Sequence, residues 1–160
     1  MSAAPRKEKY LVDTNFLFEI ALWVPIPLNS VFWSHLTTSL KAGEWVLLDI
    51  VVNEIKSAGD LKNWCEAQAN NGLVSSIDAT HKYRGVELNN TYPMIDGTGK
   101  SETDTYLIAY AEANKLTVVS RESQRDSDTD LFKIPDVCGI LQIPMIRLPL
   151  AFLKGIGFRS

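Results

Sequence analysis

The chain has 160 residues, 46% of them apolar and 22% charged, with a formal net charge of −3. That length favours one domain, expected to span 1–160 and able to bury roughly 70% of its unfolded surface. The acidic balance excludes a general basic nucleic-acid binder, so any phosphate contact must be local or made through a cation.

No apolar run approaches the roughly 20 residues that span a bilayer. Residues 1–8 are polar and read as a flexible lead-in rather than a signal peptide, which points to a cytoplasmic protein with no membrane contact. Cys65 and Cys138 are far apart and outside any C-x-x-C, so two reduced thiols are expected. His35 and His81 are isolated and read as helix-flank or loop residues, not metal ligands.

Residues 9–13 read as a first strand: the apolar run Tyr10-Leu11-Val12 ends in Asp13-Thr14-Asn15. A helix over Asn15 to Trp23 follows, stopped by Pro25 and Pro27. Asn29 is expected to cap a second helix, with Val31, Phe32, Leu36 and Leu40 inward and Gly43 past its end. Trp45 to Leu48 is a buried second strand, and a short helix should carry Val51 to Lys56. Asp60 is expected to cap a further helix with Leu61, Trp64 and Ala67 inward and Gly72 as the stop.

Leu73 to Ile77 reads as a third strand. The least legible stretch, 79–99, is expected to hold a helix around Tyr83 to Leu88 and then a loop. Ser101 begins a helix striped by Tyr106, Leu107, Tyr110 and Ala111. Leu116 to Val119 is a fourth strand, followed by a polar loop from Ser120 to Asp130. Met145 to Leu148 is a fifth strand, and Pro149 opens a last helix to about Lys154. Strands alternating with helices predict an α/β fold: a three-layer α/β/α sandwich on a mainly parallel sheet of about five strands.

Four acids stand out by position. Asp13 follows strand one, Glu54 follows strand two, Asp104 opens the helix before strand four, and Glu122 follows strand four. All fall at the carboxyl edge, where open α/β sheets bind ligands. Crowded carboxylates repel, and a hard cation such as Mg²⁺ or Mn²⁺ relieves that repulsion. Such an ion also activates water and orients a phosphodiester. Each acid has a structural alternative: a turn for Asp13, a solvated helix face for Glu54, a capping box with Ser101 for Asp104, a charged loop for Glu122.

Asp126, Asp128 and Asp130 begin like a calcium loop, but Leu131 and Val137 stand where glycine and glutamate belong, so they read as a solvated loop. Lys100, Arg121, Arg125 and Lys133 are candidates for phosphate contacts, or plain surface cations. Trp23, Trp33, Trp45 and Trp64 read as core or interface anchors. An aspartate-nucleophile phosphatase would want D-x-D, and residue 15 is Asn15.

In order and motif these residues resemble the PIN-domain nuclease family. Asp13-Thr14-Asn15 is similar to its D-T-N, with Thr14 and Asn15 supporting the metal-binding Asp. Asp104-Thr105-Tyr106-Leu107-Ile108-Ala109-Tyr110-Ala111 resembles its D-x-x-(L/I)-x-A-x-A helix. Val118-Val119-Ser120-Arg121-Glu122 resembles its apolar-T-x-D segment, with Ser120 for Thr and Glu122 for Asp. Asp60-Leu61 with Trp64, and Lys133 to Cys138, point to a PIN-like toxin branch of bacterial toxin–antitoxin systems. The resemblance implies a Mg²⁺- or Mn²⁺-dependent endoribonuclease with Asp13, Glu54, Asp104 and Glu122 as metal-binding, catalytic residues. It also implies an RNA substrate, an antitoxin partner and a homodimer. The substitutions at 120 and 122 leave open a catalytically weakened RNA- or protein-binding module.

Overall fold

Tyr10, Leu11 and Val12 are flanked by a strand on each side, which is why all three are buried. In the computed structural model, residues 8–158 are described. The expected flexible lead-in lies outside them except for Glu8, whose carboxylate accepts the Tyr10 hydroxyl at 3.1 Å and the Thr117 hydroxyl at 2.5 Å.

The strands are β1 (Tyr10–Val12), β2 (Trp45–Leu48), β3 (Val74–Ser75), β4 (Thr117–Val119) and β5 (Met145–Ile146). They form one sheet in the order β3-β2-β1-β4-β5, and every pairing is parallel. Tyr10 pairs with Trp45 on one side and Thr117 on the other. The chain walks outward from β1 through β2 to β3, then returns to β4 and walks the other way. The order therefore reverses between β1 and β4.

The helices are α1 (Thr14–Trp23), α2 (Ser30–Lys41), α3 (Asp49–Glu54), α4 (Asp60–Asn70), α5 (Ala79–Thr91), α6 (Glu102–Asn114), α7 (Ile134–Leu141) and α8 (Pro149–Gly155). Right-handed crossovers put α1 to α4 on one face and α5 to α7 on the other. The packing agrees: α1 meets α3 and α3 meets α4, whereas α5 meets α6 and α6 meets α7. On the α1 face, the Phe152 ring from α8 packs edge-on against Tyr10, Phe16 and Trp45, at 5.4, 5.3 and 6.0 Å. The expected α/β/α sandwich is the fold observed.

Several local expectations change. In α2 the inward stripe is Trp33, Leu36 and Leu40, and Val31 is 83% exposed. The Trp33 indole donates to the Val24 carbonyl at 2.7 Å, which fixes the rotation of the helix. Asn29 precedes α2 without capping it and donates instead to the Pro25 carbonyl at 3.0 Å. In α4 the buried positions are Leu61, Cys65 and Gln68, with Trp64 on the flank and Ala67 exposed; Gly59, not Asp60, is the cap position. The third strand shrinks to two residues, the helix expected around Tyr83 to Leu88 extends to the whole of α5, with most of the loop after it retained, and α7 arises where no helix was expected.

Candidate active site

The site is built where the strand order reverses. The Asp13 N–H bonds the Val119 carbonyl at 2.9 Å, so the β1–β4 ladder runs one residue past β1. Asp13 then caps α1: its backbone is extended and its Oδ1 accepts the Thr14 N–H at 2.7 Å. Its other oxygen, Oδ2, accepts the Ser120 hydroxyl at 2.8 Å. Ser120, directly after β4, also accepts the Glu122 N–H at 3.1 Å through the same hydroxyl. Asn15 Oδ1 accepts the Arg121 N–H at 3.1 Å, and its amide N lies 3.4 Å from Ser120 Oγ. Two tripeptides, 13–15 and 120–122, are thereby stitched side by side.

Glu54 is the last residue of α3, on one face of the sheet, and Asp104 lies in the first turn of α6, on the other. The capping box at Ser101, the structural alternative for Asp104, does not form. Ser101 sits in the left-handed region with φ 75° and takes no helix N–H on its side chain. Its hydroxyl instead favours the ionised Asp104 carboxyl.

The four acids sense one another. Burial pushes Asp104 up to about 8, helped by the charges of Asp13, Glu122 and Glu54. Glu122 is pushed up to about 7 by burial and then Asp13, while Lys133 opposes the rise. Glu54 is raised by partial burial and then by Asp13. Asp13, 4% exposed, is raised by burial against the bonds from Ser120 and Thr14. The Asp13 charge raises each of the other three, and Asp104 is raised by all of them. Among the described residues none of the four has a cation within ion-pair distance.

The donors are all oxygen. They include the Thr14 hydroxyl, which is buried and meets no partner in hydrogen-bonding geometry, though it lies near Glu54. Oxygen-only donors suit a hard cation. No three His, Cys, Asp or Glu side chains among the described residues stand so that they could hold a metal ion together. Mg²⁺ usually needs only one or two carboxylates and keeps its waters, so the donor chemistry fits a hard cation held by one or two of these carboxylates rather than a multidentate chelate.

The four phosphate candidates divide. Lys100 is exposed and lines the grooves on both flanks of the acids, and Lys133 lines the groove beside Glu122. Arg121 is engaged: its guanidinium pairs with Glu19 and donates to the Arg147 carbonyl at 2.6 Å. Arg125 donates to the carbonyls of Asp128 and Asp130, at 3.2 and 3.1 Å, and lies 3.7 Å over the Phe132 ring. It organises the loop of Asp126, Asp128 and Asp130, whose side chains are exposed. Trp33 and Trp45 are core, Trp64 stacks parallel to Trp45 at 6.4 Å, and Trp23 is exposed. Cys65 and Cys138 are free and buried, their thiols both pushed up to about 12 by desolvation.

Some site residues escape the sequence reading. Glu19, partner of Arg121, is the only charged residue of α1, which is a usable signal. Asp136 Oδ2 accepts the N–H groups of Arg125 and Lys133 at 3.1 and 2.8 Å, closing the loop after Glu122 onto α7. Lys82 and Tyr106 line the groove beside Glu54 and Asp104; without the true bounds of α5, nothing marks Lys82.

The model of the family described as a domain of unknown function (DUF4411) matches residues 10–158, and the chain belongs to that family. No curated protein matches the chain. Among solved structures, a chain from the crystal structure of FitAcB from Neisseria gonorrhoeae is similar, with 16% identity, 86% of this chain and 96% of that chain covered, and a TM-score of 0.46.

Proposed function

We propose that this protein is an endoribonuclease dependent on Mg²⁺ or Mn²⁺, PIN-like, and the toxin of a toxin–antitoxin pair. The observation that carries the reading is the set of four mutually perturbing carboxylates, from four separate segments, at the switch point of a parallel sheet, with no cation paired to them among the described residues. Asp13 and Asp104 would hold the ion, with Glu54 and Glu122 acting from the flanks. When bound, the cation supplies charge neutralisation and water activation for phosphodiester hydrolysis.

The remaining work falls to the chain. Ser120 fixes the Asp13 carboxylate and the Glu122 backbone through one hydroxyl. Asn15 holds the 120–122 turn against the start of α1. Lys100 and Lys133 offer cationic contacts to phosphate, whereas Arg121 and Arg125 reach it only by leaving their present partners. The antitoxin and the homodimer follow from the motif resemblance, and a cytoplasmic location is part of the same reading. Among the described residues, no helix is long and apolar enough to cross a membrane.

The test is cleavage of labelled single-stranded RNA by purified protein with Mn²⁺. Asp13→Asn and Asp104→Asn are expected to reduce the rate by about 100-fold or more, with the fold retained by circular dichroism. Equal cleavage by both variants would show the site to be wrongly assigned. The binding-module reading is favoured by the lack of a three-ligand cluster among the described residues. It prevails if calorimetry detects no Mn²⁺ binding and no RNA is cut.

A further inference from the structure

Arg121 stands between Ser120 and Glu122 but lines neither of the grooves beside the acids. Its backbone and its side chain are both tied to other segments. Its N–H donates to Asn15 Oδ1 at 3.1 Å, and its carbonyl accepts Arg147 Nη2 at 3.4 Å. Its guanidinium pairs through Nε with Glu19 and donates through Nη1 to the Arg147 carbonyl at 2.6 Å. In the β4–β5 pairing the Ser120 N–H reaches the Ile146 carbonyl at 3.2 Å, and past that bond the two arginines carry the link onward. Residue 121 therefore joins α1, the end of β4 and the end of β5. The paired side chains of Arg121 and Glu19 are only 31% and 20% exposed, so removing one leaves the other charged, partly buried and alone.

We infer that Arg121 is a positioning residue: clamped between Glu19 and Arg147, it sets where the Ser120 hydroxyl and the Glu122 backbone stand relative to Asp13. The inference rests on the ribonuclease reading only for the use to which that geometry is put. Ser120 Oγ is the junction, donating to Asp13 Oδ2 at 2.8 Å and accepting the Glu122 N–H at 3.1 Å. A shift of the 120–122 turn therefore disturbs both bonds together. The bond to Asn15 alone would let the turn pivot about it. The guanidinium adds one attachment to α1 and one to the residue after β5. Its planar fork holds two acceptors in fixed directions, which a lysine ammonium does not do. The cation that opposes the rise of Glu122 is Lys133, so Arg121 acts on the acids through geometry. Groups that orient a metal-binding side chain are typically worth about 10- to 100-fold in metal affinity or activity.

The test compares the full chain with Arg121→Ala and Glu19→Ala by two readouts that need no RNA. In NMR hydrogen exchange without divalent ions, each variant should lower protection of the Glu122 amide about tenfold, while amides of β1 keep theirs. In calorimetry, each should weaken Mn²⁺ binding about tenfold. The double variant should be no worse than either single one, because the two residues act as one pair. Arg121→Lys keeps the charge and loses one arm of the fork, so it should fall between wild type and Arg121→Ala. Arg84→Ala breaks a comparable ion pair, with Glu112, and as control should change neither readout. With RNA present, Arg121→Ala should lower kcat and leave KM unchanged. A raised KM with exchange and Mn²⁺ affinity unchanged overturns the clamp in favour of a phosphate contact. A lower melting temperature with both unchanged overturns it in favour of a purely structural pair. Exchange altered as described in a protein that binds no Mn²⁺ and cuts no RNA keeps the clamp and loses the nuclease. Mn²⁺-dependent cleavage with exchange unchanged in both variants does the reverse.

Discussion

In protein stripped of divalent ions, Asp104→Asn is predicted to raise stability, and to do so increasingly as pH climbs. The Asp104 carboxyl is pushed from 3.8 to about 8, first by burial and then by Asp13, Glu122 and Glu54. Once unfolded, the group ionises near 3.8. Between these two values the folded chain keeps a proton that the unfolded chain has released. Wild-type stability therefore falls as pH rises through this window and levels off above it. At about 1.4 kcal/mol per pH unit the whole span amounts to about 6 kcal/mol. Water in the open groove screens the charges, which brings the expected gain to about 3 kcal/mol. Asparagine keeps the shape and removes the charge, so the gain should be near zero at the acid end of the window. Urea unfolding followed by tryptophan fluorescence reads it directly, since Trp33 and Trp45 are both 2% exposed. The midpoint shift should reach about 1 to 2 M at alkaline pH. A difference that does not grow with pH, or a less stable variant at alkaline pH, refutes the reasoning.

Adding Mn²⁺ should reverse the ranking. At a thousand times its dissociation constant a ligand adds about 4.1 kcal/mol to the state that binds it, more than the variant's gain of about 3 kcal/mol. Wild type is expected to gain this, and the Asp104→Asn variant is not. Metal that stabilises both proteins equally removes Asp104 from the ligand set while leaving the charge argument standing.

Ser120→Ala removes a fully buried hydroxyl that donates to Asp13 and accepts from Glu122; it should cost about 1–3 kcal/mol in thermal unfolding and lower RNA cleavage as well. Gly85→Ala is a test of sign. Helix propensity alone predicts a gain of about 1 kcal/mol, but the new Cβ would lie 2.6 Å from Tyr106 Cδ1 and 2.9 Å from Thr105 Oγ1. A loss of about 1–3 kcal/mol is therefore expected, and a stabilised variant would refute the close packing of α5 on α6.

What the sequence discloses depends on how much of an element is buried. β1, β2 and β4 are legible because nearly every residue in them faces core. β3 and β5 are two-residue edge strands, too short to carry a pattern. α5 buries only Gly85 and Leu88, so it has almost no apolar stripe, and its reciprocal cap pairs Asp78 with His81, a residue not expected at that position. α7 hides behind Pro135 and Gly139, which read as breakers; Pro135 lies in the first turn, where its missing N–H is harmless. The order of the four acids along the chain was legible. The layer from which each arrives was not, because it depends on which helix lies on which face.

That placement follows from topology. At the reversal between β1 and β4 the chain leaves neighbouring strand ends in opposite directions: α1 to one face, the 120–133 loop toward α7 on the other. A crevice must open there. Asp13 and Glu122 come from its two lips. Glu54 arrives from the helical layer on the first face and Asp104 from the layer on the second, where α6 packs between α5 and α7. One acid from each layer and one from each lip bracket the crevice on all sides, which is why Asp104 senses all three others although it is at least 18 positions from the nearest of them in sequence. Hydrogen bonds then fix the lips through Ser120 and Asn15, so the Asp13 carboxylate is held in place beside its neighbours' charge. Such an arrangement lowers the stability of the ion-free fold and leaves two routes to relief, a bound proton or a bound cation.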